Sequence, residues 1–194
     1  MGNGFEMLKE HHKETFLKAV REGKADPQII PLGNFFVGLE DYFTSSSCSG
    51  RIVLMNLNEK ETKKEAAFHR KWHRTVSFDE VYDGLSEATE EDLWFKQEPF
   101  ILHIGARSPR QAKRILSIMK KTGVRRGGIM VAKKDRLIIE LTGSNYISLP
   151  AKSANSILVS DEHLRFIVER ANRKLERNYE LLNEFERECR RQLP

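Results

Sequence analysis

Cysteine is scarce in this chain: Cys48 and Cys189 are the only two, far apart and outside any zinc-ligand spacing. A disulfide framework is therefore excluded as the organising device, and a reducing compartment is the expected setting. No apolar run reaches membrane-spanning length, and the first 22 positions mix acidic and basic residues without a secretory apolar segment. A soluble, cytoplasmic protein with no membrane partner is expected. The chain also lacks G-x-G-x-x-G, a Walker loop and G-x-S-x-G. Those absences remove the dinucleotide-binding sheet, the P-loop and the nucleophile elbow. No pair of histidines has a metal-ligand spacing beside a carboxylate, so no metal is expected.

What is present suits one domain with a real core. Of 194 residues, 39% are hydrophobic and 31% charged, with a net charge of +5. The expected organisation is a single α+β domain over 1–194, with 161–191 as a long C-terminal helix. The moderate basic excess fits one basic face, the footprint of a nucleic-acid partner, better than a uniformly basic surface.

Phe5, Leu8, Phe16, Ala19 and Val20 fall at helical spacing, predicting a first helix that ends near Gly23. Short helical segments are expected from Asp26-Pro27 and from Pro31. A Ser-rich turn should follow Phe43, then a strand over Arg51 to Leu57, a polar hairpin loop over Asn58 to Glu65, and a strand over Ala66 to Val76. Ser77 and Glu80 have the spacing of a capping box. Glu98 to Ile104 reads as one buried strand, and Ser108-Pro109 opens a helix that stops at Gly123. Paired strands turn at Lys133-Lys134-Asp135, and a short strand ends at Pro150. From Asp161 to Arg191, apolar residues recur every three or four positions, one helix that packs along the domain or pairs with a second copy. The fold class is α+β, with a mixed, mostly antiparallel sheet and flanking helices.

The stretch Thr44-Ser45-Ser46-Ser47-Cys48-Ser49-Gly50-Arg51 is the densest in chemistry. Hydroxyls favour turns, glycine permits close approach, and arginine offers a fork of donors, so an anion-binding turn is one reading and a plain loop the other. His73 and His103 each interrupt an apolar or aromatic segment read as adjacent strands, and could form an acid–base pair. His11-His12 and His163 are expected to be exposed. Arg107, Arg125 and Arg126 flank a helix that carries Lys113 and Arg114, a candidate phosphate-contacting surface.

The run from Thr44 to Ile52 resembles the TSSC-x-GRI signature of the tRNA wybutosine-synthesizing protein 3 family. The resemblance continues at His73, at Glu98-Pro99-Phe100-Ile101-Leu102-His103 (the family's EPF-x-LH), and at Arg107. It runs on through Gly123-Val124-Arg125, Gly128-Ile129, Pro150 and Ala171-Asn172, in order from about 28 to 185, as in an archaeal member. Thr142-Gly143 stands where the family often has Arg-Ser, and Phe68 where it has tryptophan.

The resemblance implies an S-adenosylmethionine-dependent methyltransferase of a fold other than the doubly wound sheet. Its target would be ring N4 of the aminocarboxypropyl-demethylwyosine base at position 37, in the anticodon loop of phenylalanine tRNA. On that reading His73 or His103 is the base. The donor meets either Ser46, Ser47, Cys48, Gly50 and Arg51, with Glu98 on its ribose, or the turn at Gly127 and Gly128. Arg107, Lys113, Arg114, Arg125 and Arg126 would touch tRNA. The alternative is a non-catalytic RNA-binding module.

Overall fold

The structure is a computed structural model that describes residues 3–57, 67–133 and 136–193. The loop expected over Asn58 to Glu65, and part of the turn expected at Lys133-Lys134-Asp135, lie outside the described residues. The chain folds into two units, one made of Met1–Ser49, Phe100–Ser144 and Tyr179–Pro194, the other of Gly50–Pro99 and Asn145–Asn178. Each unit holds one sheet, and every strand pair described in either is antiparallel. The architecture is α+β.

The first unit is built on β1 (Tyr42–Cys48), β5 (Ile101–Ala106), β6 (Arg126–Lys133) and β7 (Arg136–Thr142), in the order β1-β5-β7-β6. Alternation along β5 sends Leu102, Ile104 and Ala106 to one face. There they join a core with α2 (Ile30–Gly38), α4 (Pro109–Lys121) and the last turns of α5 (Asp161–Gln192). Phe36, Ile115 and Phe185 are almost fully buried in it. Each such side chain contributes roughly 1.5–3 kcal/mol through burial. On the other face, α1 (Asn3–Arg21) lays Phe5 and Leu8 against Phe43 and Ile138.

The second unit is built on β2 (Arg51–Leu57), β3 (Ala67–Trp72), β4 (Asp92–Glu98), β8 (Ile147–Ser153) and β9 (Ser156–Ile157), in the order β3-β2-β4-β8-β9. The capping box forms as expected: Glu80 N–H donates to Ser77 Oγ, and Ser77 N–H to Glu80 Oε2, starting α3 (Phe78–Ser86). Leu164, Val168, Ala171 and Leu175 of α5 are buried here, while Leu182, Phe185 and Cys189 of the same stripe are buried in the first unit.

Three expectations change. The Ser-rich run is a strand rather than a turn: Thr44 to Ser47 lie in β1, whose backbone groups are taken by β5, and only Ser49 and Gly50 separate β1 from β2. Glu98 to Ile104 is two strands in different sheets, because Pro99 has no N–H to continue a ladder; pairing stops at Arg51↔Glu98 and resumes at Cys48↔Ile101. Asp26-Pro27 opens turns, not a helix, and one helix, α2, begins at Ile30. Beyond these, β8 runs through Pro150 to Ser153 rather than stopping there.

Candidate active site

A β-bulge decides which serine faces the middle of the first sheet. Thr44 pairs with Ile104, but the next pair is Ser46 with His103, so Ser45 is the extra residue. A bulge of this kind re-aims the side chain that follows it. Across the next ladders His103 pairs with Glu140, and Glu140 with Gly128. Residues directly opposite share a face. Ser46, His103, Glu140 and Gly128 therefore form one row across four strands.

The row is hydrogen-bonded. Ser46 Oγ lies 2.6 Å from His103 Nδ1, and His103 Nε2 lies 2.9 Å from Glu140 Oε2. Ser46 is exposed, while the imidazole and the carboxylate are about three-quarters covered, at 23% and 27% exposure. The row ends in open space, since a Cβ on Gly128 would meet nothing within 4 Å. Gly127 is the opposite case: at φ +142°, a Cβ there would come 2.1 Å from the Glu140 carbonyl oxygen. Glycine lets β6 approach β7 beside Glu140. The Gly127-Gly128 pair is thus strand, not turn.

Beside β1 is a hollow of about 240 Å³, lined among others by Lys24, Asp26, Thr44, Ser46 and His12. Asp26 Oδ2 accepts from the Ser49 amide at 2.7 Å and its hydroxyl at 3.1 Å. His12 is not the exposed residue expected from a charged helix. It is half-buried and stacks on Phe43 with centroids 5.0 Å apart. Burial foremost, then the charges of His11 and Arg136, pushes its pKa down and favours the neutral ring. Tyr179 is raised to about 12, chiefly by burial, and keeps its proton.

The remaining expected residues are distributed as follows. Ser47 lines the hollow, and Cys48 is half-buried near the end of β1. Cys189 is buried in the core, and burial raises its thiol pKa. His73 lies just past β3 in the second unit, so the two histidines belong to different units rather than to adjacent strands. Gly50, Arg51 and Glu98 also lie in that unit. There Arg51 Nε donates to Glu98 Oε2 at 2.6 Å, and its guanidinium sits 4.6 Å from the centre of the Phe68 ring. Arg107 is held by Glu6 at 2.6 Å, Asp41 at 2.7 Å and the Glu40 carbonyl at 2.9 Å. Lys113, Arg125 and Arg126 are exposed in the first unit, and Arg114 donates to the Gln192 carbonyl.

Glu140 is the residue that the sequence reading missed. Its signal was available: it is the one charge inside the apolar run Leu137 to Leu141.

A non-doubly-wound α+β fold and a carboxylate-held histidine next to an exposed hydroxyl fit a group-transfer enzyme. The chain belongs to the Methyltransferase TYW3 family, whose sequence model matches residues 5–191. It is 35% identical over 182 residues to the Pyrococcus furiosus protein named tRNA(Phe) 7-((3-amino-3-carboxypropyl)-4-demethylwyosine(37)-N(4))-methyltransferase 1, covering 94% of this chain and 93% of the relative. It is 32% identical over 168 residues to the Xenopus laevis tRNA wybutosine-synthesizing protein 3 homolog, covering 85% of this chain and 66% of that one. The solved structure of the PH1069 protein from Pyrococcus horikoshii superposes with a TM-score of 0.89 at 33% identity, over 96% of each chain. Among the described residues, no helix is long and apolar enough to cross a membrane.

Proposed function

We infer that this chain transfers a methyl group from S-adenosylmethionine to ring N4 of the 7-aminocarboxypropyl-demethylwyosine base at position 37 of phenylalanine tRNA. The observation that carries the reading is the hydrogen-bonded row Ser46, His103 and Glu140, which ends on an exposed hydroxyl. Relatives named for this reaction, alike along nearly the whole chain, supply the substrate. His103 is the base, because it has a carboxylate partner on one nitrogen and a reachable hydroxyl on the other.

The hollow beside β1 suits part of the donor. Its 240 Å³ lies below the roughly 300–1,000 Å³ of pockets that enclose a whole small molecule. Its charges suit a zwitterionic end: Lys24 would meet the carboxylate and Asp26 the ammonium. When bound, the donor supplies an electrophilic sulfonium methyl. The chain's own work is to hold the acceptor nitrogen in line and to remove its proton; positioning of that kind can supply roughly 7–11 kcal/mol of a barrier. Lys113, Arg125 and Arg126 are the phosphate contacts of this reading.

Incubation with labelled donor and phenylalanine tRNA that carries the unmethylated base should place label in the RNA. No label at saturating donor and RNA overturns the assignment. S-adenosylmethionine alone should raise the melting temperature, and Asp26→Ala should reduce that rise.

A further inference from the structure

The contacts of His103 fix where its proton sits. A carboxylate without its proton only accepts hydrogen bonds. Glu140 Oε2, 2.9 Å from Nε2, therefore requires that nitrogen to carry a hydrogen. In the neutral ring Nδ1 is then bare and accepts, so the Ser46 hydroxyl, 2.6 Å away, must donate to it. Every proton in the row points one way, from the exposed serine through the imidazole towards Glu140. The lone pairs of Ser46 Oγ are left facing outward.

We propose that Ser46 is the group that touches the acceptor nitrogen and passes its proton to His103, and that Glu140 is the positioning residue that keeps His103 Nδ1 free to receive it. This rests on the methyl-transfer reading above and adds to it. In the balanced step, the acceptor nitrogen forms a bond to the methyl carbon as that carbon's bond to the donor sulfur breaks, which turns a sulfonium into a thioether. The nitrogen's proton moves to Ser46 Oγ, and the serine's own proton moves to His103 Nδ1. The positive charge lost from sulfur reappears on the imidazolium, against the Glu140 carboxylate. Proton release to solvent resets the row.

The bulge in β1 and the glycine at 128 are the fold's contribution. The first brings Ser46 rather than Ser45 opposite the ring. The second leaves the sheet clear beside Glu140, where a planar base can approach. An imidazole used only as a structural clamp would not need that clear space.

Two measurements test this, the first of which needs neither donor nor RNA. Nitrogen-15 NMR of the neutral His103 ring should show a protonated Nε2 and a bare Nδ1. In Glu140→Gln, whose amide can present either a donor or an acceptor, the single tautomer should give way to a mixture while the melting temperature holds. A protonated Nδ1 in the native protein, or an unchanged tautomer in Glu140→Gln, overturns the positioning role whatever the activity. The second is turnover. Ser46→Ala should lower kcat about 100-fold or more, the lower end of general acid–base effects, with little change in KM for RNA. Ser46→Thr, which keeps the hydroxyl, should retain most of the rate. Full turnover in Ser46→Ala overturns the relay while leaving the methyl-transfer reading intact. A native protein that shows the expected tautomer but labels no RNA overturns that reading, and the relay with it.

Discussion

His69 and His103 share one kind of contact and differ in the rest. Each has Nε2 against a glutamate, His69 on Glu87 at 2.8 Å and His103 on Glu140 at 2.9 Å. His69 Nε2 is also 3.0 Å from the Gly84 carbonyl, its ring is 14% exposed, and Arg70 bonds the same glutamate. That imidazole ties β3 to α3 and to the segment after it. His103 gives its second nitrogen to an exposed serine instead. A carboxylate on a histidine is therefore not a sign of chemistry by itself. The sign at His103 is the exposed hydroxyl on its second nitrogen.

Replacing each ring with alanine should separate the two most sharply. His103→Ala should lower methyl transfer by about 10²–10⁴-fold. His69→Ala should keep turnover and lose about 1 kcal/mol of stability, seen as roughly 2–4 °C in melting temperature. Equal losses of turnover would erase the distinction. Adjacent glycines give the next contrast. Gly127→Ala places a Cβ on the Glu140 carbonyl at a positive φ and should destabilise the fold by at least about 1–3 kcal/mol. Gly128→Ala enters open space and should stay within about 0.5 kcal/mol of the parent in denaturant unfolding.

The arginines divide in the same way. Arg125→Ala and Arg126→Ala should each flatten the salt dependence of tRNA binding by about one unit of slope. Arg107→Ala should leave that slope alone and lower the melting temperature, because its guanidinium is occupied by Glu6 and Asp41. The smallest effect is on pH. Glu80 in one unit and Glu188 in the other are each held at about 2, well below the usual 4.5. Hydrogen bonds from Arg74 and Ser77 depress the first. Bonds from Arg191, Lys121 and Gln192 depress the second. A depressed pKa stabilises above the unfolded value and ceases to do so as pH falls through the folded one. Melting temperature should therefore drop between about 4.5 and about 2, and Glu80→Gln and Glu188→Gln should each remove part of the slope.

The elements legible in the sequence were those with local causes. The capping box at Ser77, the proline at the start of α4 and the stripe of α5 each act within a turn or two of helix, and all formed where expected. What was illegible depends on partners distant in the chain. Four short hydroxylated residues suggest a turn until β5 supplies the hydrogen bonds that make them a strand. Pro99 marks a break only when its flanking strands are seen to join different sheets. His103 stood out because an imidazole interrupts apolar neighbours. The role of Glu140 depends on register, which a single strand does not disclose.

Register has one more consequence at the serine run. A slip of one residue in a strand turns every side chain to the opposite face. Phe43 and Tyr42 would trade places, so the hydrophobic contacts of α1 and of the core oppose any slip. At the ring itself the chain is indifferent, because Ser45, Ser46 and Ser47 carry the same group. A residue added to or removed from the run would still leave a serine hydroxyl to face the imidazole.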